Sequence, residues 1–158
     1  MFIKVEKILT KELVDLACSY TADKEVIIKD MESFYRSEHS PIRTQLFLVR
    51  MDGIPTYASV HFTRHHIGIE HFVKSNRNTD EIITRDTPVN HLMFLNAQSL
   101  INISRKRLCA KADKLVVDIM YKIREKVNDV DPELARNMLP ECKYRGFCPE
   151  MKSCKKVS

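Results

Sequence analysis

The sequence predicts an α+β fold, a small and mostly antiparallel sheet packed with a C-terminal helical cluster. Three observations lead there. Strand-like and helix-like runs mix in the N-terminal half. The C-terminal half carries the helical period almost alone, with apolar residues three and four apart. A chain of 158 residues, 44% hydrophobic, is long and apolar enough for one core, so residues 1–158 are read as one domain with a cysteine-bearing tail from about 140.

Residues 2–9 alternate loosely and predict a first strand. Thr10 is placed as the N-cap of a helix running through Leu13, Leu16 and Ala17. A second amphipathic stretch, 24–36, sets Val26, Ile27, Met31 and Phe34 on one side. After Ser40-Pro41, residues 44–51 predict a strand that Asp52-Gly53 closes with a turn. Residues 56–63 read two ways: Ala58, Val60 and Phe62 alternate as in a strand, yet the run is too short for alternation to exclude a helix. Residues 75–86, with Asn76, Asn78 and Asp80, predict a polar loop.

The spacing then predicts two longer helices. The first, 89–109, places Met93, Ala97, Leu100, Ile101 and Leu108 on one face. The second, 113–127, does so with Val116, Ile119, Met120, Ile123 and Val127. Asp131-Pro132-Glu133 is a cap followed by proline at the first helical position and predicts a short last helix. The tail beyond Pro140, rich in cysteine and lysine, reads as irregular.

Charges interrupt every apolar run, so neither a signal-peptide core nor a membrane span is expected, and the cytoplasm is the expected compartment. Five cysteines without a secretory signal argue for reduced thiols. A net charge of +5 suits an anionic partner. Nucleic acid is disfavoured, because the chain has no recognition-helix motif, no aromatic stacking platform and no tryptophan. The Cys142-x5-Cys148-x5-Cys154 spacing is wider than the knuckles of structural zinc sites. Thiols that pack or face solvent, with no metal, are the expectation; zinc on these three, with Cys109 as a fourth ligand, is the alternative.

Chemistry concentrates in residues 62–77, which hold three of the six histidines together with Arg64, Arg77, Glu70 and Ser75. Arginine grips phosphate through its planar fork, and hydroxyl and backbone N–H groups complete such a cradle. His65, His66, His71 and Glu70 are also plausible metal ligands, although no His-Glu-x-x-His or Cys-x-x-Cys spacing occurs. A polar loop whose histidines satisfy backbone groups is the third reading.

Arg64-His65-His66, followed by Ser75-Asn76-Arg77, resembles the signature of the flavin-dependent thymidylate synthases: Arg-His-Arg, seven residues, then Ser-x-Arg. Here the gap is one residue longer and His66 replaces an arginine. Glu38-His39-Ser40-Pro41 is similar to the family's Gly-His-x-Ser/Thr-Pro, and 96–102 (Asn-Ala-Gln-Ser-Leu-Ile-Asn) to its Asn-Ala-Arg-Ser-Leu-x-Asn helix. Arg107 and Ala110–Asp113 follow in the family's order, and some members end in a cysteine-bearing tail. The resemblance runs from Glu38 to Cys154 and implies a helix over 56–63.

It further implies that Arg64, His65 and His66 hold FAD, with Asn102 and Arg107 near the flavin or a neighbouring subunit. Ser75, Asn76 and Arg77 would meet the phosphate of dUMP. Gln98 stands at a phosphate-gripping arginine position, and Arg124 is the nearest arginine to another. The implied reaction is methylation of dUMP to dTMP with methylenetetrahydrofolate and NADPH, in a homotetramer whose subunits share sites. The replacements at Gln98 and His66, with Leu115-Val116 in place of Glu-Ile-Arg, motivate an alternative: a protein that binds a nucleotide without turnover. Arg43 or Arg105 could supply the missing charge.

Overall fold

The computed structural model describes residues 1–74 and 82–154. Its strands are β1 (Phe2–Lys7), β2 (Leu46–Pro55), β3 (Ile69–Val73) and β4 (Pro88–Asn96). They form one sheet in the order β1-β2-β4-β3, and every neighbouring pair is antiparallel. The helices are α1 (Glu12–Ala22), α2 (Met31–Ser37), α3 (Thr56–Thr63), α4 (Ala97–Arg107), α5 (Lys114–Val130), α6 (Pro132–Asn137) and α7 (Glu141–Arg145), with a 3-10 turn over Ser40–Thr44. The α+β expectation, a small antiparallel sheet with helices gathered at the C-terminal end, is the observed architecture.

One face of the sheet makes the core. Phe47 faces Leu95, Val49 faces Met93, Met51 faces His91 and Ile54 faces Val89, all buried. Leu100, Ile101 and Ile103 of α4 join them, as do Val116, Ile119, Met120, Ile123 and Val127 of α5. Burying side chains of this size stabilises by roughly 1.5–3 kcal/mol each. The long predicted helix at 113–127 is α5, and Asp113 caps it by accepting the N–H groups of Leu115 and Val116.

Several expectations need correction. The predicted helix 89–109 is a strand followed directly by a helix. Buried positions in 88–96 alternate, which is the strand period, and Asn96 opens α4 by accepting the Ser99 N–H at 3.0 Å. Asp52-Gly53 makes no reversal: β2 runs on to Pro55 through a bulge between Met51 and Ile54, where Gly53 takes φ +69° and donates its N–H to the Asn90 side chain. Of the stretch 24–36 only α2 is helical. The N–H groups of Val26 and Ile28 donate to Ser19 Oγ and Asp15 Oδ1 instead, and Asp30 caps α2. Helix α1 starts at Glu12 with Lys11 at the cap position and no side-chain cap, so Thr10 is not its N-cap. Residues 56–63 are helical, 69–73 inside the polar cluster form β3, and the tail contains α7. Within the expected loop 75–86, residues 75–81 lie outside the described residues. No helix among the described residues is long and apolar enough to cross a membrane.

Candidate functional site

Helix α3 ends at Thr63 and delivers Arg64, His65 and His66 in sequence to a cleft of about 180 Å³. The first two turns of α4 contribute Ser99 and Asn102, while Ile67, Ile69 and Ile103 supply the apolar part of the lining. The turn into β3 is clamped to α4: Ser99 Oγ lies 3.0 and 3.1 Å from the carbonyl oxygens of Ile67 and Gly68. Gly68 is needed there. Its φ is +69°, and a Cβ would stand 2.8 Å from Ser99 Oγ and 2.9 Å from Asn96 Nδ2.

Charge in and behind this cleft is one-sided. No carboxylate pairs with Arg64 or Arg107 among the described residues. Arg107, half-buried, approaches His61 Nδ1 at 3.4 Å, and its Nε is buried without a partner among the described residues. Burial and the neighbouring Arg64 lower its pKa. His65 Nε2 is likewise buried and unpartnered. Burial first, then the positive charge of Arg107, pushes the His65 imidazole down to about 4, so it is neutral at pH 7. His61 is lowered by burial and by Arg107 and Arg64.

Behind the cleft runs a chain of imidazoles. His71 Nε2 donates to the His65 carbonyl at 2.7 Å, His71 Nδ1 meets His91 Nε2 at 2.9 Å, and His91 Nδ1 meets Ser59 Oγ at 2.9 Å. The carbonyl can only accept, so His71 carries its proton on Nε2. With both rings neutral, His91 Nε2–H donates to His71 Nδ1 and the Ser59 hydroxyl donates to His91 Nδ1. The chain thereby fixes the backbone at His65.

Four of the residues expected at the cofactor, Arg64, His65, His66 and Asn102, are brought together, with Arg107 beside His61 and His65. Of the residues expected at the nucleotide phosphate, Gln98 and Arg124 do not line the cleft. Gln98 Nε2 donates to Glu38 Oε2 at 2.5 Å and to Asn102 Oδ1 at 3.3 Å. Arg105, the candidate replacement cation, is held by Glu38 and lies 3.7 Å from the Tyr144 ring centroid. Burial raises the Glu38 pKa, but hydrogen bonds from Tyr144, Arg105 and Gln98 outweigh it and hold the carboxyl below its ordinary range. Arg43 is exposed. Arg124 donates to the Ala135 carbonyl on the far side of α5, in a separate depression with Tyr121 and Arg136. Ser75, Asn76 and Arg77 lie outside the described residues.

Sequence reasoning missed His61, Ser59 and His91. His91 had a usable signal, a polar residue on the buried side of an alternating strand. As for metals, His71 turns away to His91, and no group of three or more His, Cys, Asp or Glu among the described residues could hold a metal ion.

No family model matches the chain, and no curated protein matches it. Solved structures do. Thymidylate synthase X from Helicobacter pylori, with FAD and dUMP, is similar at TM-score 0.72 and 14% identity, over 87% of this chain and 99% of that one. A second structure of the H. pylori enzyme, complexed with FAD and dUMP, gives 0.71 and 15% over 88% and 100%. The UMP/dUMP methylase PolB from Streptomyces cacaoi, bound with 5-Br dUMP, gives 0.62 and 13% over 92% and 96%. The fold resembled in the sequence, that of the flavin-dependent thymidylate synthases, is therefore the fold of this chain.

Proposed function

We propose that the chain binds FAD against Arg64, His65, His66 and Asn102, with Arg107 behind, and methylates a pyrimidine nucleotide, dUMP first among them. Methylenetetrahydrofolate would supply the carbon and NADPH the reducing equivalents. The observation that carries this reading is a pair of buried polar atoms, His65 Nε2 and Arg107 Nε, without partners beside a cleft whose charges are all positive. An unsatisfied buried polar group costs about 1–3 kcal/mol, which an anionic, hydrogen-bonding ligand would recover. A dinucleotide's pyrophosphate fits that donor set.

FAD, when bound, supplies the redox chemistry of the methyl transfer. The chain's residues bind and orient. Arg64 and Arg107 offer N–H groups to phosphate oxygens, neutral His65 offers a hydrogen bond without adding charge, and Ile69 and Ile103 exclude water from the apolar part of the cleft. Ser75, Asn76 and Arg77 are proposed for the nucleotide phosphate, and a homotetramer in the cytoplasm for the working form. That the H. pylori structures hold FAD and dUMP, and the S. cacaoi structure 5-Br dUMP, supports the reading.

The test is a visible spectrum of the protein peak from a sizing column after incubation with FAD, followed by NADPH oxidation with and without dUMP. A flavin spectrum at oligomer size and dUMP-dependent oxidation are expected. A colourless peak at saturating FAD would sink the proposal.

One observation favours a second reading. Gln98 is uncharged and Arg105 is paired with Glu38, so neither offers a free cation at the position where the resembled family grips a phosphate. A nucleotide-binding protein without turnover predicts a melting shift with dUMP and no dTMP formed. Formation of dTMP excludes it.

A further inference from the structure

Four of the five cysteines line one cavity, which shares no lining residue with the arginine–histidine cleft. Cys109, just past the end of α4, and Cys142, Cys148 and Cys154 of the tail all line a single cavity of about 160 Å³. Cys18, the fifth, is buried in α1. Three tail positions six residues apart and one position more than thirty residues earlier have no reason to converge unless the tail folds back onto the α4–α5 connection, and it does. Arg105 stacks on Tyr144 of α7, and Lys111 of that connection donates to the Lys152 carbonyl.

The cavity's chemistry suits a sulfur-ligated group. The N–H of Glu150, the hydroxyl of Ser153 and the N–H of Cys154 all bond the Cys148 sulfur. Lys143 and Arg105 line the cavity as cations. Its two carboxylates are engaged elsewhere: Glu141 pairs with Arg145 at 2.5 Å and Glu150 with Lys106 at 3.9 Å. The four thiols line a cavity rather than forming a compact ligand set, since no group of three or more His, Cys, Asp or Glu among the described residues could hold a metal ion. A mononuclear zinc site needs four sulfurs about 2.3 Å from one centre. A polynuclear cluster needs its thiolates a cluster's width apart around a void, with N–H groups directed at sulfur.

We propose that Cys109, Cys142, Cys148 and Cys154 are the four ligands of an iron–sulfur cluster of the [4Fe–4S] type, seated in the cavity between the tail and the α4–α5 connection. The proposal is independent of any flavin or nucleotide. The cluster would tie the tail to the α4–α5 connection through metal–sulfur bonds.

The experiment is anaerobic reconstitution of the full chain with ferric iron, dithiothreitol as the reductant and sulfide, removal of excess, and measurement of iron, acid-labile sulfide and the Mössbauer spectrum. About four iron and four sulfide per chain are expected, with a broad visible absorption bleached by dithionite. C18S should keep the full iron content, whereas C109S, C142S, C148S and C154S should each lose about half of it or more. The wild-type spectrum decides even if a variant fails to fold. Background iron and sulfide in the wild type, a single tightly held zinc that iron and sulfide do not displace, or iron uptake undiminished in C109S would each overturn the assignment.

Discussion

At the scale of single residues, His91 shows how a polar side chain is tolerated in an apolar core. It is 1% exposed and bonded at both ring nitrogens, and burial, then His71, pushes its pKa down from 6.5 to about 4. The sign of the stability effect follows. Above pH 6.5 the ring is neutral in folded and unfolded chains alike. Between 6.5 and about 4 the unfolded chain takes up a proton that the folded chain refuses, so stability falls as the pH is lowered. His65, held near 4 as well, acts in the same direction. Melting temperature should therefore drop steadily across that interval, and H91Q should flatten the slope while lowering stability at pH 7 by about 1–3 kcal/mol. A pH-independent melting temperature in the wild type would contradict this. At the proposed FAD site, R107A should weaken FAD binding roughly tenfold to a hundredfold, with circular dichroism unchanged; equal FAD affinity in a fluorescence titration would remove Arg107 from the site. Arg64, His65 and His66 were legible because they are contiguous and belong to a spaced motif. The orphaned Nε of Arg107 was not, because it depends on burial. Nor was the engagement of Gln98, whose partner Glu38 lies 60 positions away and takes φ +53° in the cap of α2.

At the scale of elements, the β4–α4 junction holds part of the cleft's lining. No connecting residue separates strand from helix: Asn96 ends β4 and its side chain caps α4. The sequence concealed this junction. Met93, Ala97, Leu100 and Ile101 sit at helical spacing by coincidence, since Met93 belongs to a strand and the others to a helix. The alternation of Val89, His91, Met93 and Leu95 was visible in the same window, with the polar His91 interrupting it. By contrast α5 was legible throughout, because seventeen residues of one period leave no competing reading. Two substitutions test the junction. N96A should cost about 1 kcal/mol through the lost cap. G68A should cost more, since its Cβ would be forced against Ser99 and Asn96 in a left-handed conformation, and should weaken FAD binding along with stability. Wild-type chemical denaturation midpoints for G68A would show that the turn is not clamped as described.

At the scale of the whole molecule, one buried carboxylate joins three regions of the chain. Asp131, 3% exposed, accepts from Lys7 of β1 at 2.7 Å, from the Tyr35 hydroxyl of α2 at 2.7 Å and from the Leu134 N–H of α6 at 3.0 Å. Removing it leaves the partly buried Lys7 ammonium and the buried Tyr35 hydroxyl without this partner. D131A should therefore destabilise by about 3–5 kcal/mol in urea unfolding, far beyond an ordinary surface change; a loss under 1 kcal/mol would mean that water replaces the carboxylate. Lys7 and Tyr35 could not be paired with it from sequence, because they stand 124 and 96 positions away, whereas its capping of α6 was legible in Asp131-Pro132-Glu133. The sheet order has a consequence in time. Its central pairing joins Leu46 to Asn96 and Pro55 to Pro88, and among the described residues β3 pairs with β4 alone. During synthesis, then, residues 1–74 can form only the β1–β2 ribbon, a two-stranded piece with little stability of its own. The nascent chain must wait, with the apolar side of β2 uncovered, until β4 clears the ribosome, and folding should be slow for a chain of this length because its decisive contacts are so far apart in sequence.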